Sequence, residues 1–213
     1  MKIALCFRGI HYAPFYRDVD YRKNFQNNIE FLINPLKENN DVDTFLCTYE
    51  SDIQNNLLND LNPVVSIFNN LNTFNEGNHS SHKILTFNKQ LIESIKDYEH
   101  KNNILYDAVI ILRFDLIFKV KINEWNIDYE KINAVFEHVH NCDNYRHVED
   151  NIFIISRKYL EHYYDAILIT LNKNEITHRI CMYVDRDKLH YIYTITQQDL
   201  DNKNEYKLYT IGR

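Results

Sequence analysis

The chain has 213 residues and a formal net charge of −6, with 24 Lys and Arg against 30 Asp and Glu. This acidic balance counts against a nucleic-acid-binding surface, because neutralising phosphates requires clustered basic side chains. The length suits one domain with a sizeable core, and we expect residues 1–213 to form a single domain. With three glycines and three prolines, the composition is neither collagen-like nor disordered.

The cysteines and the apolar runs bear on the location of the protein. Cys6, Cys47, Cys142 and Cys181 are widely spaced and form no Cys-x-x-Cys pair, so neither a zinc ribbon nor a thioredoxin-type site is indicated. We interpret them as thiols of a reducing compartment and expect a cytoplasmic protein. The apolar run Ile3–Phe7 is too short for a signal peptide. We expect no membrane span, because no apolar stretch approaches the required length.

The first apolar run predicts a buried strand, Lys2–Phe7, followed by Arg8 and Gly9. An Arg at the end of a strand can reach a phosphate or stack on a base, and a Gly lets the backbone approach a ligand closely. An ordinary turn explains the same pair of residues.

The rest of the chain alternates between strand and helix patterns, which predicts an α/β fold with a mostly parallel central sheet of about six strands flanked by helices. Pro35 and the pair Asn39-Asn40 are expected to end the first helix. Ser51 or Asp52 is a candidate cap for the second. The strands are predicted at Val42–Cys47, Pro63–Phe68, Ala108–Leu112, Ile132–His140 and Ile152–Ile155, and the helices at Arg22–Leu36, 52–61, Lys83–Asn102 and Arg157–Asn172.

The run Ala108–Leu112 is apolar and rich in β-branched residues, as expected of a strand buried on both faces of the sheet. Arg113, Phe114 and Asp115 follow at its carboxyl end, where ligands bind in open α/β sheets. An acid there can hold a divalent metal, which can hold phosphate oxygens. Alternatively, Arg113 and Asp115 form an ion pair that only closes the strand.

Polar residues also follow the neighbouring strands. Thr48 and Tyr49 follow the second strand, just as Arg8 and Gly9 follow the first. Several polar groups at one edge of a sheet predict a ligand site. The cluster Glu149-Asp150-Asn151 comes next along the chain. A carboxylate there can orient an acceptor hydroxyl or stabilise a sugar cation, or it can simply cap a strand.

A zinc site is a weaker alternative. Alternate residues of a strand share a face, so His138 and His140 could point at one ion, with Cys142 and His147 nearby in the chain. Structural zinc sites have more regular ligand spacing than this. Histidines that line a pocket are therefore the favoured interpretation.

With these residues in view, the chain resembles nucleotide-sugar-dependent glycosyltransferases of the GT-A fold. It is similar to a branch in which the usual Asp-x-Asp is replaced by Arg-x-Asp, here Arg113-Phe114-Asp115. The runs that resemble this branch are Ile3–Gly9, Tyr106–Phe118 and Val148–Ser156. The resemblance extends to chlorella-virus glycosyltransferase domains that act on the major capsid protein. It therefore implies a role in capsid glycan synthesis in an infected host cell.

The resemblance implies a metal-dependent enzyme that moves a hexosyl or deoxyhexosyl group from a UDP-sugar to a glycan or glycoprotein acceptor. Asp115 would bind Mn²⁺ or Mg²⁺ and, through it, the diphosphate, with His190 as a candidate further ligand. The residues that would surround the nucleotide are Phe7, Arg8, Gly9, Thr48, Tyr49 and Arg113. Asp150 and Glu149 would be catalytic.

Two other functions are compatible with the same residues. A nucleotidyltransferase acting on sugar phosphates also uses an α/β sheet and a metal, but it usually carries a Gly-rich, basic phosphate loop near the N-terminus. A catalytically inactive GT-A-like binding domain would keep the fold without turnover.

Overall fold

A computed structural model describes residues 1–14, 18–70, 80–139, 146–148, 150–195 and 208–211. The strands are β1 (Lys2–Arg8), β2 (Tyr12–Ala13), β3 (Val19–Asp20), β4 (Asp41–Tyr49), β5 (Val65–Asn69), β6 (Ala108–Arg113), β7 (Leu116–Phe118), β8 (Ile132–Val139), β9 (Arg146–Val148), β10 (Ile152–Ser156), β11 (Leu189–Ile195) and β12 (Tyr209–Ile211). The α-helices are α1 (Arg22–Asn28), α2 (Asn34–Lys37), α3 (Gln54–Leu61), α4 (Ser80–Asn102) and α5 (Leu160–Asn172). A π-helical turn, Ile29–Ile33, joins α1 to α2, and 3₁₀ turns lie at Ile122–Glu124, Arg157–Tyr159, Thr177–Tyr183 and Arg186–Lys188.

In the described part of the chain, the central sheet has eight strands. Seven follow the order β11-β8-β10-β6-β1-β4-β5, and β9 pairs with β8. Strands β6, β1, β4 and β5 run parallel, as do β8 and β11. Among the described strands of this sheet, only β10 and β9 run antiparallel to their neighbours. The predicted α/β class with a mostly parallel, helix-flanked sheet is confirmed, with β6 at its centre.

Two apolar layers cover the sheet, because successive side chains of a strand point to opposite faces. On β6, Val109 and Ile111 pack with α4 and α5 on one face. Ile110 and Leu112 pack with α1, α2 and α3 on the other. Burying one such aliphatic side chain contributes about 1.5–3 kcal/mol, so a continuous apolar run at β6 stabilises both layers.

The first helix departs from the prediction at Pro35. Pro35 lies in the first turn of α2 and does not end the helix, which continues to Lys37. A proline in an α-helix lacks an N–H and clashes with the carbonyl four residues earlier. Here the N–H of Asn34 donates to the carbonyl of Ile29, five residues back. This wider π turn carries the helix past Pro35.

The predicted cap of α3 is wrong. The helix begins at Gln54, and its cap residue, Ile53, makes no side-chain capping bond. The hydroxyl of Ser51 lies 2.7 Å from His11 Nε2 instead. No helix within the described ranges is long and apolar enough to cross a membrane.

Candidate functional site

The ends of three strands and the start of a fourth meet at one edge of the sheet. Arg8 of β1 lies opposite Arg113 of β6 in the parallel register. Asn151, just before β10, accepts a 3.1 Å hydrogen bond from the backbone N–H of Arg113 through its carbonyl. Asp150 precedes it. The structure therefore brings Arg8, Arg113, Asp115 and Asp150 to the carboxyl edge of the parallel strands.

Arg113 and Asp115 form a two-point ion pair. The Nε of Arg113 donates to Oδ1 of Asp115 at 2.7 Å, and Nη2 donates to Oδ2 at 2.5 Å. The Nη1 of Arg113 donates to Oδ1 of Asn151 at 3.0 Å. The side chain of Arg113 is 23% exposed and that of Asp115 only 8%. The arginine is therefore the partner that reaches solvent.

Arg8 carries a buried charge. Its side chain is almost completely inaccessible, and its Nη2 donates to the backbone carbonyl of Asp150. Its Nε has no hydrogen-bond partner among the described residues. Burial lowers the pKa of Arg8, the charge of Asp150 raises it, and the charge of Arg113 lowers it further. Arg8 stays protonated, because the pKa of an arginine lies far above neutral pH.

The turn after β1 is held by a chain of hydrogen bonds. Gly9 has a φ of +95°, and a Cβ added there would meet no atom within 4 Å. The hydroxyl of Thr48 donates to the carbonyl of Gly9 at 2.7 Å, and the same oxygen lies 2.6 Å from His11 Nδ1. Because the Thr48 proton goes to the carbonyl, Nδ1 of His11 must be the donor to Thr48. Nε2 of His11 then accepts from the hydroxyl of Ser51.

Burial lowers the pKa of His11 to about 4, although the charge of Asp20 acts in the opposite direction. The ring lies among aromatic neighbours, with centroids 5.8 Å from Phe114 and 6.1 Å from Tyr21. His11 is therefore neutral at pH 7. The sequence does not single out His11, because it lies in an irregular aromatic stretch with no periodicity.

Most of the other residues expected around the nucleotide are buried. Phe7 is buried and stacks on Phe114 at 5.5 Å. Thr48 is completely buried, and its hydroxyl is used within the turn. Tyr49 packs edge-on against Phe87 at 5.1 Å. Among the described side chains of this predicted set, that of Arg113 is partly exposed, at 23%.

Three further predictions concern His190, Glu149 and the zinc alternative. His190 lies on β11, separated from β6 by β8 and β10, and its Nε2 is 2.8 Å from the carbonyl oxygen of Asn126. The structure does not bring His190 next to Asp115. Glu149 lies outside the described residues. The zinc alternative depends on side chains between 138 and 147 that the structure does not describe.

The described residues do not fit a metal ion held by the protein. They contain no group of three or more His, Cys, Asp or Glu side chains that could hold one. Asp115 supplies one carboxylate, and both of its oxygens accept hydrogen bonds from Arg113. Hard cations prefer about six oxygen ligands. The Mn²⁺ or Mg²⁺ site stays a prediction.

A separate cavity of about 640 Å³ lies at the opposite edge of the sheet and is lined in part by Glu99, Arg157 and Glu161. The N–H of Arg157 donates to the carbonyl of Asp107, immediately before β6. This cavity is therefore at the amino end of the central strand, away from Arg8 and Arg113.

No family model and no curated protein matches the sequence. Among solved structures, the chain is similar to a nucleoside-diphosphate-sugar pyrophosphorylase from Vibrio cholerae, with a TM-score of 0.50 and 9% identity over 92% of this chain and 93% of that one. It is also similar to a glycosyltransferase involved in glycosylation of the major capsid of PBCV-1 (TM-score 0.49, 11% identity, 99% and 92% covered). A third similar structure is the galactosyltransferase LgtC in complex with donor and acceptor sugar analogs (TM-score 0.47, 11% identity, 90% of this chain and 73% of that one covered). At these identities the likeness bears on the fold alone.

Proposed function

We propose that this chain is a glycosyltransferase that moves a sugar from a UDP-sugar to a glycan or glycoprotein acceptor. The observation that carries the proposal is the cluster at the carboxyl edge of the parallel strands, where Arg8, Arg113, Asp115 and Asp150 converge. The resemblance of Arg113-Phe114-Asp115 to the Arg-x-Asp branch supports the choice of chemistry. The role in viral capsid glycan synthesis rests on the sequence resemblance alone.

The charges of the cluster suit glycosyl transfer. The bond between the sugar and the diphosphate breaks, and its electron pair leaves with UDP, so negative charge builds on the phosphate. Arginine side chains fixed beside that phosphate stabilise the charge. The sugar becomes cation-like, and a carboxylate such as Asp150 stabilises that charge. The acceptor oxygen forms the new bond and gives its proton to a base.

A nucleotidyltransferase is less well supported. Such enzymes usually need a Gly-rich loop around the phosphates, and this chain has three glycines in total. Gly9, the one glycine among the residues that the structure describes, lies at the edge. The similarity to a pyrophosphorylase reflects the fold and does not favour this chemistry over glycosyl transfer.

The test is release of UDP from a panel of UDP-hexoses and UDP-deoxyhexoses, in Mn²⁺ and in EDTA. Asp150→Asn serves as the inactive reference, and Asp165→Asn, an exposed acid on α5, is the matched control. UDP release by the parent and by Asp165→Asn, above the level of Asp150→Asn, supports the proposal. Pyrophosphate release from UTP and sugar 1-phosphates would instead indicate a nucleotidyltransferase. Binding of UDP without any turnover would indicate an inactive binding domain.

A further inference from the structure

Two arginines lie side by side at the candidate site. Arg8 and Arg113 are directly opposite each other on neighbouring parallel strands, and such strands are about 4.8 Å apart. Cys6 lies two residues before Arg8, and Ile111 lies two residues before Arg113; both face the layer of α4 and α5. Because alternate residues of a strand share a face, both arginine side chains start on that face. Like charges directly opposite each other in a sheet are destabilising. Asp115 pairs with Arg113, whereas the acceptor of Arg8 is a neutral carbonyl, so an anion bound beside Arg8 would offset the remaining repulsion.

We propose that Arg8 and Arg113 form the diphosphate-binding site of this chain, and that Asp115 positions Arg113 instead of holding a metal ion. This inference rests on the proposed function, because the diphosphate is that of the nucleotide-sugar donor. It differs from the expectation drawn from the Arg-x-Asp resemblance, in which Asp115 binds the diphosphate through Mn²⁺.

The geometry of Asp115 supports a positioning role. Its two oxygens accept from Nε and Nη2 of Arg113 at 2.7 and 2.5 Å, which fixes the plane of the guanidinium. Asn151 holds Nη1 at 3.0 Å. The carboxylate lies beneath the arginine, whose side chain is the more exposed of the two. A ligand that arrives from solvent therefore meets the guanidinium before it meets the carboxylate.

Arg8 supplies the second, independent observation. A buried charge is costly unless it is paired, yet the hydrogen-bond acceptor of Arg8 is the neutral carbonyl of Asp150. Its Nε is buried and has no hydrogen-bond partner among the described residues. A buried polar atom without a partner requires an explanation in a native structure. An anionic ligand beside Gly9, where a Cβ would meet no neighbour, provides one.

The choice of residue type fits a diphosphate. A guanidinium is planar and presents N–H donors in a fork that matches phosphate oxygens, and it stays charged at any physiological pH. Two such groups offer directed N–H donors to a diphosphate without a metal ion, although Asp115 and Asp150 offset their charge. The buried position of Arg8 strengthens its electrostatic effect, because the surroundings of the ligand are less polar than water.

The first measurement is UDP binding by calorimetry in Mn²⁺ and in EDTA. We expect the two dissociation constants to agree within about threefold, because the arginines replace the metal. A loss of tenfold or more in EDTA would overturn the inference and leave the glycosyltransferase proposal standing. If the protein binds no UDP in either buffer, the UDP-sugar donor itself is wrong.

The second measurement compares variants of the two partners. Arg113→Gln should weaken UDP binding by about 30-fold or more, whereas Asp115→Asn should weaken it by about tenfold or less, because the arginine remains but is less well oriented. A metal held by Asp115 would give the opposite order. Arg157→Gln removes an arginine that pairs with Glu99 at 3.2 Å at the other edge of the sheet, and it should leave UDP affinity unchanged.

The third measurement separates a functional charge from a structural one. Arg8→Met removes the buried cation and its hydrogen bond to the carbonyl of Asp150, so the free protein should lose stability, while the UDP affinity of the folded variant falls at least tenfold. Unchanged UDP affinity with reduced stability would show that Arg8 is structural. Arg8→Lys keeps the charge without the planar fork, and it should lose less UDP affinity than Arg8→Met even if the methionine variant folds poorly. An equal loss in both would contradict a role for the charge.

Discussion

At the scale of single residues, His11 gives the clearest pH-dependent prediction. Its pKa is about 4 in the folded protein and about 6.5 in an unfolded chain. Between these values the unfolded state binds more protons, so stability falls as the pH falls from 6.5 towards 4. The contribution of His11 to the free energy of unfolding should drop by about 2 kcal/mol from pH 7.5 to pH 5. Urea unfolding of the parent and of His11→Gln at both pH values measures it.

The parent and His11→Gln should differ in how steeply the free energy of unfolding changes with pH, as well as in its absolute value. His11→Gln cannot titrate, so it should lose about 2 kcal/mol less than the parent over this pH range. Equal losses in both proteins would show that His11 is not held neutral by its buried site. The hydrogen bonds that join His11 to Thr48 and Ser51 would then have other donors and acceptors.

Asp150 carries the prediction about catalysis. It is buried at the edge of the sheet, and its backbone carbonyl, which the variant keeps, is the group that contacts Arg8. Asp150→Asn should therefore leave UDP affinity within about threefold, a change under roughly 0.7 kcal/mol. Hydrolysis of the UDP-sugar should fall by about 100-fold or more, if the carboxylate stabilises charge that appears only in the transition state.

Calorimetry and a hydrolysis assay on the same preparation separate the two effects. Asp165→Asn, with the same chemical change on the exposed surface of α5, should match the parent in both assays. Loss of UDP binding in Asp150→Asn would place Asp150 in the nucleotide site. Unchanged hydrolysis would remove it from the reaction.

Some residues of the site were accessible to sequence reasoning and others were not. Arg8, Arg113, Asp115 and Asp150 could be found because each follows or precedes an apolar strand, and strand ends share an edge. The sequence does not show whether Asp115 binds a metal ion or pairs with an arginine, because a sequence pattern does not reveal which carboxylate oxygens already accept hydrogen bonds. Thr48 was expected to face the nucleotide, and its bond to the carbonyl of Gly9 is visible only in the folded chain.

At the scale of elements, the turn that links β1 to the rest of the site depends on Gly9. Its φ of +95° is a conformation that side chains rarely adopt, and forcing it costs about 1–3 kcal/mol. Gly9→Ala should lower the free energy of unfolding by that amount. It should also weaken UDP binding, because the turn shapes the open space beside Arg8 and Arg113.

The matched control is Asn62→Ala. Asn62 ends α3 with a φ of 42°, so alanine there also costs stability, but the position lies outside the candidate site. Urea unfolding should show a loss in both variants, and calorimetry should show weaker UDP binding in Gly9→Ala alone. Equal UDP affinities in the two variants would mean that the turn after β1 does not contact the ligand.

Some features of the strands and helices could be predicted from the sequence pattern, and others could not. The strand β6 was predictable because both of its faces are buried, which leaves a run of apolar residues. The antiparallel direction of β10 was not, because the same apolar run suits either direction. Helix propensities alone predict a break at Pro35, because its ring clashes with the carbonyl four residues earlier. The π turn that avoids this clash is visible only in the folded chain.

At the scale of the whole molecule, the net charge of −6 contrasts with the two arginines at the carboxyl edge. An acidic protein repels a nucleoside diphosphate at long range, so binding depends on short-range contacts at the edge. Salt screens the repulsion of the whole surface more than it screens a partly buried site. The affinity for UDP should therefore fall only weakly as salt rises, unlike that of a basic, nucleic-acid-binding surface.

The choice of nucleotide is tested by ligand-linked stability of the whole chain. At a UDP concentration of 100 times the dissociation constant, the free energy of unfolding should rise by about 2.7 kcal/mol. For a chain of this length that corresponds to roughly 5–11 °C in Tm. GDP and CMP should raise Tm much less: GDP shares the diphosphate but not the base, whereas CMP lacks the second phosphate that the arginine pair would bind. Equal protection by UDP and GDP would contradict the uridine assignment while leaving the diphosphate site intact, and equal protection by UDP and CMP would remove the diphosphate from the recognition.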